Sequence, residues 1–502
     1  MTAPAAAAAV SDGYRRALHA HRAGRLQDAA GLYAECLSAA PERADIAHLL
    51  GLSLLGLGDF AGGVAALQLS LSLDPEAAAV EHDLANALVS LGHAEAALDH
   101  FDRALALDPG LVDAQVNRAT ALAKLGRHGE AAPALEAALV LAPRHAEALY
   151  RLGRVRAAAR ERAGAIAAYQ ACLAVAPDHA EARYHLGDMQ LAAGDFAAGW
   201  ANYEARFHRP GNAVPMRPFA APRWDGQPLA GRCLLVWGEQ GVGEEILFAS
   251  RFADLAGLGG RIVVECDPRL VPLFERSFPG VEAVGRRTPP DPRIAALAPD
   301  IQTPSGSLGR WLCAERAAFR PRPYLVADAD RIAAARARHE ALGPGLKVGI
   351  AWRSVGPNAR YGRAKSTALA DWAPLLATPG ARFESLQYGD CAREIADLGA
   401  TCGATVHRDP AVDQAASLDD FAAQVAALDL VVTTSNTTAH MAGALGVETW
   451  VLLPPAVDWR WQGAGEGSLW YPRARLFRRA PSEDWSAPID AAVRLLAART
   501  NG

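Results

Sequence analysis

Two stretches carry the side chains from which a reaction centre could be built. The first is GEQGVGEE at 238–245. Its acids Glu239 and Glu244 could take a proton from a hydroxyl. Gln240, Gly241 and Gly243 would let the backbone approach a polar ligand from an acceptor-side loop. The run is neither a dinucleotide GxGxxG loop nor a Walker loop, because no Lys-Ser/Thr follows. Acids opening a helix also complement its dipole, which accounts equally well for Glu244 and Glu245 and less well for Glu239. The second stretch, VVTTSNTTAHMAGALGVETWVLLP at 431–454, reads as strand, turn, helix, strand. Ser435, Asn436, Thr437 and Thr438 are all helix-capping types, and His440 lies one turn in. A helix N-terminus at the carboxyl end of a parallel strand favours an anion such as phosphate; a well-capped turn with no ligand is the plainer alternative. Three further loops hold Arg353-Ser354, Arg363 to Thr367 with Lys365, and Gln387-Tyr388. Arg353 and Lys365 would supply positive charge to a diphosphate, whereas His440 fits either a ligand contact or a buried structural role. No Ser-His-Asp elbow, zinc spacing or kinase set occurs. Asp328-Ala329-Asp330 matches an acid-x-acid metal string but opens a predicted helix, where capping is the simpler use, so no metal is expected.

These loops require a parallel sheet to bring them to one edge. Strands are predicted at 232–237, 261–265 and 281–284, with a helix at 246–256 between the first two. A second set begins at Leu346 and continues at 383–387, 430–433, 449–453 and 476–478. Helices are expected near 368–377, 391–398, 417–428, 437–445 and 486–499. Strand–helix alternation of this kind is the pattern of a doubly wound α/β unit. Two such units, 231–330 and 346–502, joined by a helix within 331–345, would leave a cleft between their strand ends.

The first 200 residues read differently. Prolines 41, 75, 109, 143 and 177 are each 34 residues apart, and a fixed period of this length signals a repeat array. Small residues recur at matched positions (Gly51, Ala85, Gly153, Gly187), glycines mark turns (Gly58, Gly92, Gly126, Gly194), and each proline ends the second helix of its unit. The pattern resembles the tetratricopeptide repeat family: an all-α superhelix of five full repeats and a capping one over 10–208, after a disordered 1–9. Asn86, Asn117 and Arg118 are candidates for its groove. A Pro/Gly-rich linker, 209–230, would follow.

Composition narrows the partners. Net charge is −5 with no long basic run, which argues against nucleic acid. No apolar run approaches the roughly 20 residues of a membrane span. Seven cysteines without a CxxC pair suit a reducing, cytoplasmic setting.

GEQGVGEEILFASRF, VGIAWRS, the Lys365 loop, SLQYGD, SNTTAHMAGALG, and DWRW with LWYPRARLFRR resemble the GT-B glycosyltransferase-like domain found after tetratricopeptide repeats in many bacterial proteins. That domain is distantly similar to the lipopolysaccharide heptosyltransferases. The resemblance implies a metal-independent, inverting glycosyltransferase with a nucleotide-sugar donor and no other cofactor. The donor would be held by Arg353, Ser354, Lys365, Gln387, Tyr388, Ser435, Asn436, Thr437, Thr438 and His440. Catalytic candidates are Glu239, Glu244, Lys365 and His440. The combination with repeats also resembles bacterial flagellin glycosyltransferases, in which the repeats recruit the protein acceptor, so flagellin is the narrowest acceptor implied. Two departures stand out: Glu244 replaces a family Asp, and Ser435 occupies a position held by Asp in heptosyltransferases. A non-catalytic scaffold and a transferase with a glycan or lipid acceptor remain as alternatives.

Overall fold

The structure, a computed structural model, describes residues 3–211, 213–354, 359–455 and 458–500. The chain divides into two compact units, 1–182 and 183–502.

The first unit is all helical. Its pairs are α1 (Ala3–Arg22) with α2 (Leu26–Ala39), α3 (Ala44–Gly56) with α4 (Phe60–Leu73), and α5 (Ala78–Ser90) with α6 (Ala94–Leu107). Then come α7 (Val112–Lys124) with α8 (His128–Leu141) and α9 (Ala146–Ala158) with α10 (Arg162–Val175). Each second helix stops just before its proline. The preceding residue is driven out of the helical region by the ring: Asp74 has ψ 89° and Asp108 ψ 93°. The turn glycines take left-handed backbone (Gly58 φ +84°, Gly92 φ +87°, Gly126 φ +78°), and in the fifth pair Arg160 does so at φ +66°. Small residues let paired helices approach: a Cβ on Gly51 would lie 2.9 Å from Leu67, and one on Gly153 would lie 2.5 Å from Tyr169. Asn86 and Asn117 both hydrogen-bond His82 (3.0 and 3.1 Å), and Arg118 pairs with Asp102 at 2.6 Å, so these groove candidates are engaged within the array. Helix α1 reaches back to Ala3, into the 1–9 stretch expected to be disordered; residues 1 and 2 lie outside the described residues.

The unit boundary falls inside α11 (Ala180–Ala193), not in the 209–230 segment. Helix α12 (Phe196–Tyr203) is thus a structural part of the second unit. Trp200 explains why: it is fully buried, donates from its indole N–H to the Cys313 carbonyl at 3.0 Å, and packs edge-on to Trp459 at 5.0 Å. The Pro/Gly-rich segment is stitched down as well, with Trp224 N–H donating to the Gln302 carbonyl at 2.8 Å and Arg217 pairing with Glu265.

The rest of the second unit is α/β. Its first half runs β1 (Cys233–Trp237), α13 (Val242–Ala249), α14 (Phe252–Ala256), β2 (Arg261–Cys266), α15 (Val271–Ser277), β3 (Val281–Gly285), α16 (Pro292–Ala296), β4 (Ile301–Pro304) and α17 (Leu308–Leu312). After α18 (Ala329–Glu340) come β5 (Leu346–Ala351), α19 (Ala359–Ala364), α20 (Ala373–Leu376), β6 (Ala381–Ser385), α21 (Ala392–Cys402), β7 (Val406–His407), α22 (Leu418–Ala426), β8 (Leu430–Thr434), α23 (Thr437–Leu445), β9 (Thr449–Leu453), β10 (Ala474–Arg478) and α24 (Ser486–Thr500). The sheets are parallel, ordered β3-β2-β1-β4 and β10-β9-β8-β5-β6-β7. Strand order reverses between β1 and β4 and between β5 and β8, and ligands of such sheets bind at those switch points. The expected helix 246–256 is two helices, the first starting at Val242. Strands β4 and β7 are additions, too short or too polar to show a period. Asp328 caps α18, accepting from Arg331 N–H at 3.0 Å, as the capping reading expected.

Candidate functional site

A cleft of about 760 Å³ within the second unit is lined by residues from both halves and from the last helix pair. Of the expected site residues, Gln240, Gly241, Gly243, Glu244, Arg353, Ser354, Lys365, Gln387, Tyr388, Ser435, Asn436, Thr437, Thr438 and His440 all line it. The switch-point loops after β5 and β8 supply one wall and the loop after β1 the other. The walls meet where α13 approaches α23: a Cβ on Gly243 would lie 3.1 Å from the His440 ring and 3.4 Å from Thr437 Oγ1. Glycine there permits the approach of the two halves.

Glu239 is the exception. Its carboxylate is buried and takes both Nε and Nη2 of Arg206 at 2.8 Å, with the Gly306 N–H also donating at 2.8 Å. Arg206 comes from the short turn after α12. Burial alone would lower its pKa, but the Glu239 carboxylate overcomes that and raises it. A carboxylate so fully occupied cannot take an acceptor's proton. The proposed base at 239 is therefore corrected to an internal strut between the last helix pair and the loop after β1. Glu244 remains at the cleft wall, 3.1 Å from the Arg460 guanidinium.

The second wall is held from behind. Gln387 Oε1 accepts the backbone N–H groups of Trp352 (3.1 Å) and Arg353 (2.9 Å). Ser366 Oγ accepts the Ser354 N–H at 2.9 Å, and Thr367 Oγ1 donates to the Trp352 carbonyl at 2.8 Å, which anchors the Lys365 loop to the end of β5. Arg353 lines the cleft but its guanidinium pairs with Glu394 and donates to the Asp390 carbonyl at 2.9 Å. It is a braced charge at the cleft wall. Burial lowers the pKa of Lys365, and Asp458 opposes the shift.

Helix α23 is capped by its own side chain. Asn436 Oδ1 accepts Thr438 N–H at 3.0 Å and Ala439 N–H at 3.4 Å. Two of the amides expected to face an anion are thereby satisfied internally. Ser435 Oγ accepts the Trp461 indole N–H at 2.8 Å. His440 stacks on Trp461 (centroids 5.3 Å, 17°) and its Nδ1 meets the Tyr471 hydroxyl at 2.8 Å. Burial drives its pKa down to about 3, so the ring is neutral at ordinary pH.

Several lining residues escaped the sequence reading: Tyr184, Arg206 and Arg209 from the last helix pair and its exit, Arg269 after β2, and Asp458 and Arg460 from the β9–β10 connection. Arg460 holds Asp458 (2.7 and 2.8 Å) and reaches Glu244 across the cleft. With Arg353 and Lys365, the lining carries six basic side chains against two acidic ones, Glu244 and Asp458, so the cleft suits an anionic ligand. The DWRW run held the signal for Asp458 and Arg460. Tyr184 and Arg209 had none, because a residue in a repeat reads as scaffold and one in a Pro/Gly-rich segment as linker.

Comparison with known proteins agrees with the first part of this description. The tetratricopeptide repeat model matches residues 14–78, 48–112, 82–146, 116–174 and 150–205, so the N-terminal 200 residues or so carry tetratricopeptide repeats. Among curated proteins, Protein FlbA of Caulobacter vibrioides is 37% identical over 287 residues, 55% of this chain and 48% of FlbA. The match thus spans about half of that relative's length. Solved structures with some likeness include MamA (21% identity, TM-score 0.32, covering 34% of this chain and 94% of MamA). YrrB, described as a tetratricopeptide repeat protein with an unusual peptide-binding site, has 22% identity and a TM-score of 0.32, covering 34% of this chain and 89% of its own.

Proposed function

We infer that the second unit is a glycosyltransferase of the GT-B type, moving a sugar from a nucleotide-sugar donor to a protein acceptor recruited by the repeats. The observation that carries this reading is the cleft itself: two doubly wound halves present switch-point loops to one cavity with a basic lining. The donor diphosphate would lie against Lys365, Arg353 and the first turn of α23. Positive charge fixed there stabilises the leaving phosphate as negative charge grows on it, worth about 3–4 kcal/mol per well-placed donor. His440, neutral and braced by Tyr471 and Trp461, would donate to or accept from the donor without titrating. Glu244 and Gln240 face the acceptor side. Inversion at the anomeric carbon and operation without a metal belong to the same reading. So does flagellin as the acceptor, which rests on the family resemblance alone.

A second reading has its own support. Glu239 is locked, Asn436 satisfies the α23 amides, and Ser435 is taken by Trp461. These features fit a protein-binding scaffold with a cleft that no longer catalyses. Release of nucleotide from any UDP-, ADP-, GDP- or CMP-sugar by the purified chain, lost in Lys365→Ala, supports the transferase; binding without any turnover supports the scaffold.

A further inference from the structure

The geometry points to Tyr184 and Asp188, on the first helix of the sixth pair, as the proton-accepting pair of the transfer reaction. The inference rests on the transferase reading and fills the role from which Glu239 is excluded. A base must have a lone pair within reach of the acceptor hydroxyl, directly or through one relay. The acids around the cleft are otherwise committed. Glu239 accepts three hydrogen bonds, Asp458 holds the Arg460 guanidinium with both oxygens and caps the turn at Arg460 N–H, and Glu244 meets Arg460 at 3.1 Å. Asp188 differs: its Oδ1 is buried and accepts no hydrogen bond among the described residues.

Asp188 sits one helical turn after Tyr184, so both side chains share a face of α11. The Asp188 carboxylate raises the Tyr184 phenol pKa, and the phenol in turn lowers that of the carboxylate, and Tyr184 lines the cleft. The Arg209 guanidinium lies 4.1 Å from the centre of the Tyr184 ring, and Tyr203 flanks it at 5.8 Å. The charged groups facing Asp188 are Asp458 and Arg460 from the β9–β10 connection and Arg209 from the exit of the helix pair. Burial, followed by the Asp458 carboxylate, pushes the Asp188 carboxyl up to about 7 against Arg460 and Arg209. A group that half-ionises near neutrality is matched to general-base work.

In the step itself, the acceptor hydroxyl passes its proton to Tyr184 Oη as the phenol proton moves to the Asp188 carboxylate. The acceptor oxygen forms its bond to the anomeric carbon. The bond from that carbon to the phosphate oxygen breaks, and the electron pair leaves with the nucleotide. Asp188 ends neutral and the nucleotide phosphate carries the additional negative charge.

Hydrolysis tests this, with water as the acceptor and the full chain as the enzyme. A UDP-, ADP-, GDP- and CMP-sugar panel identifies the donor by calorimetry, and hydrolysis is followed from pH 5.5 to 9. The wild type should show a rate that rises through about pH 7. Tyr184→Phe and Asp188→Asn should each lose about 100-fold or more in kcat, with KM and donor affinity unchanged. Asp188→Asn should also lose the pH step, and Asp188→Glu should regain part of the rate together with a step. Tyr184→Phe, which removes one oxygen, guards against misfolding of the Asp188 variants. A Tyr184→Phe rate close to wild type, or an Asp188→Asn enzyme that keeps the pH step, overturns the assignment while leaving the donor reading intact. If no donor binds the wild type, the transferase reading fails and takes this inference with it.

Discussion

At the scale of single residues, the cleft is built from charges whose freedom differs sharply. Lys365 is the cation that burial has already brought below its ordinary pKa. Lys365→Ala should reduce turnover by about 100-fold or more with an unchanged melting temperature, as measured by steady-state kinetics beside calorimetric melting. Glu239 should behave in the opposite way. Removing its charge with Glu239→Gln leaves buried Arg206 with Glu204, at 2.9 Å, as its remaining counterion, an effect of about 1.5–3 kcal/mol on stability. A denaturant titration would register that loss; an intact fold with a kcat-only defect would restore Glu239 as a base. His440 adds a pH dependence. Its folded pKa of about 3 lies below the ordinary 6.5, so the stability it contributes is present above pH 6.5 and is lost as pH falls toward 3. Asp188 has the reverse sign: raised to about 7, it favours the fold at low pH and opposes it as pH rises to 7. Melting temperatures of His440→Gln and Asp188→Asn from pH 4 to 8 should separate the two by sign: below pH 7 the first lessens the rise of stability with pH and the second steepens it. The wall after β8 was legible in the sequence, because capping residues and a strand-turn-helix pattern are local. The Glu239–Arg206 strut was not, because its partners are 33 residues apart and one was assigned to another domain.

At the scale of elements, close approach explains the small residues. Gly187 on α11 leaves no room for a Cβ: backbone atoms of Tyr203 and Asn202 would lie at 2.8 and 3.0 Å. Backbone cannot rotate away as a side chain can, so Gly187→Ala should destabilise the second unit by about 1–3 kcal/mol and displace Tyr203, whose hydroxyl accepts from Gln240 at 2.9 Å. Arg160 presents the converse case. It holds left-handed backbone where its counterparts are glycine, and such strain costs an L-residue about 1–2 kcal/mol. Arg160→Gly should therefore leave the first unit's stability unchanged or slightly raised, in contrast to a typical glycine substitution, and thermal melting would show it. The 34-residue period made the helix pairs and the turns between them readable. The boundary of the α/β unit was not readable, because α12 keeps the repeat pattern while its outer face, through Trp200, belongs to another core.

At the scale of the whole molecule, the compact unit beginning within α11 changes where the chain can be divided. A fragment starting at Ala180 keeps Trp200, Tyr203 and Arg206 and should fold and bind donor. A fragment starting at Arg209, the boundary suggested by proline and glycine content, uncovers Trp459 and Phe248 and leaves Glu239 without Arg206. It should aggregate or melt far lower. Equal melting of the two fragments would contradict the structural role given to α12. Composition and periodicity conveyed the two architectures well. They could not convey that the last repeat pair and its exit contribute Tyr184, Arg206 and Arg209 to the cleft, because nothing local distinguishes a helix face turned to a groove from one turned to a cleft.

A nucleotide sugar held in the cleft between the two doubly wound halves is the feature on which the proposed activity depends. The most direct measurement is a thermal-shift titration of the full chain with UDP-, ADP-, GDP- and CMP-sugars, run in parallel on Lys365→Ala. A donor at about 100 times its dissociation constant stabilises by about 2.7 kcal/mol. One nucleotide class should raise the transition of the second unit, and the shift should disappear in Lys365→Ala. A shift of equal size in both proteins would place the ligand elsewhere, and no shift with any of the four classes would contradict the donor site itself.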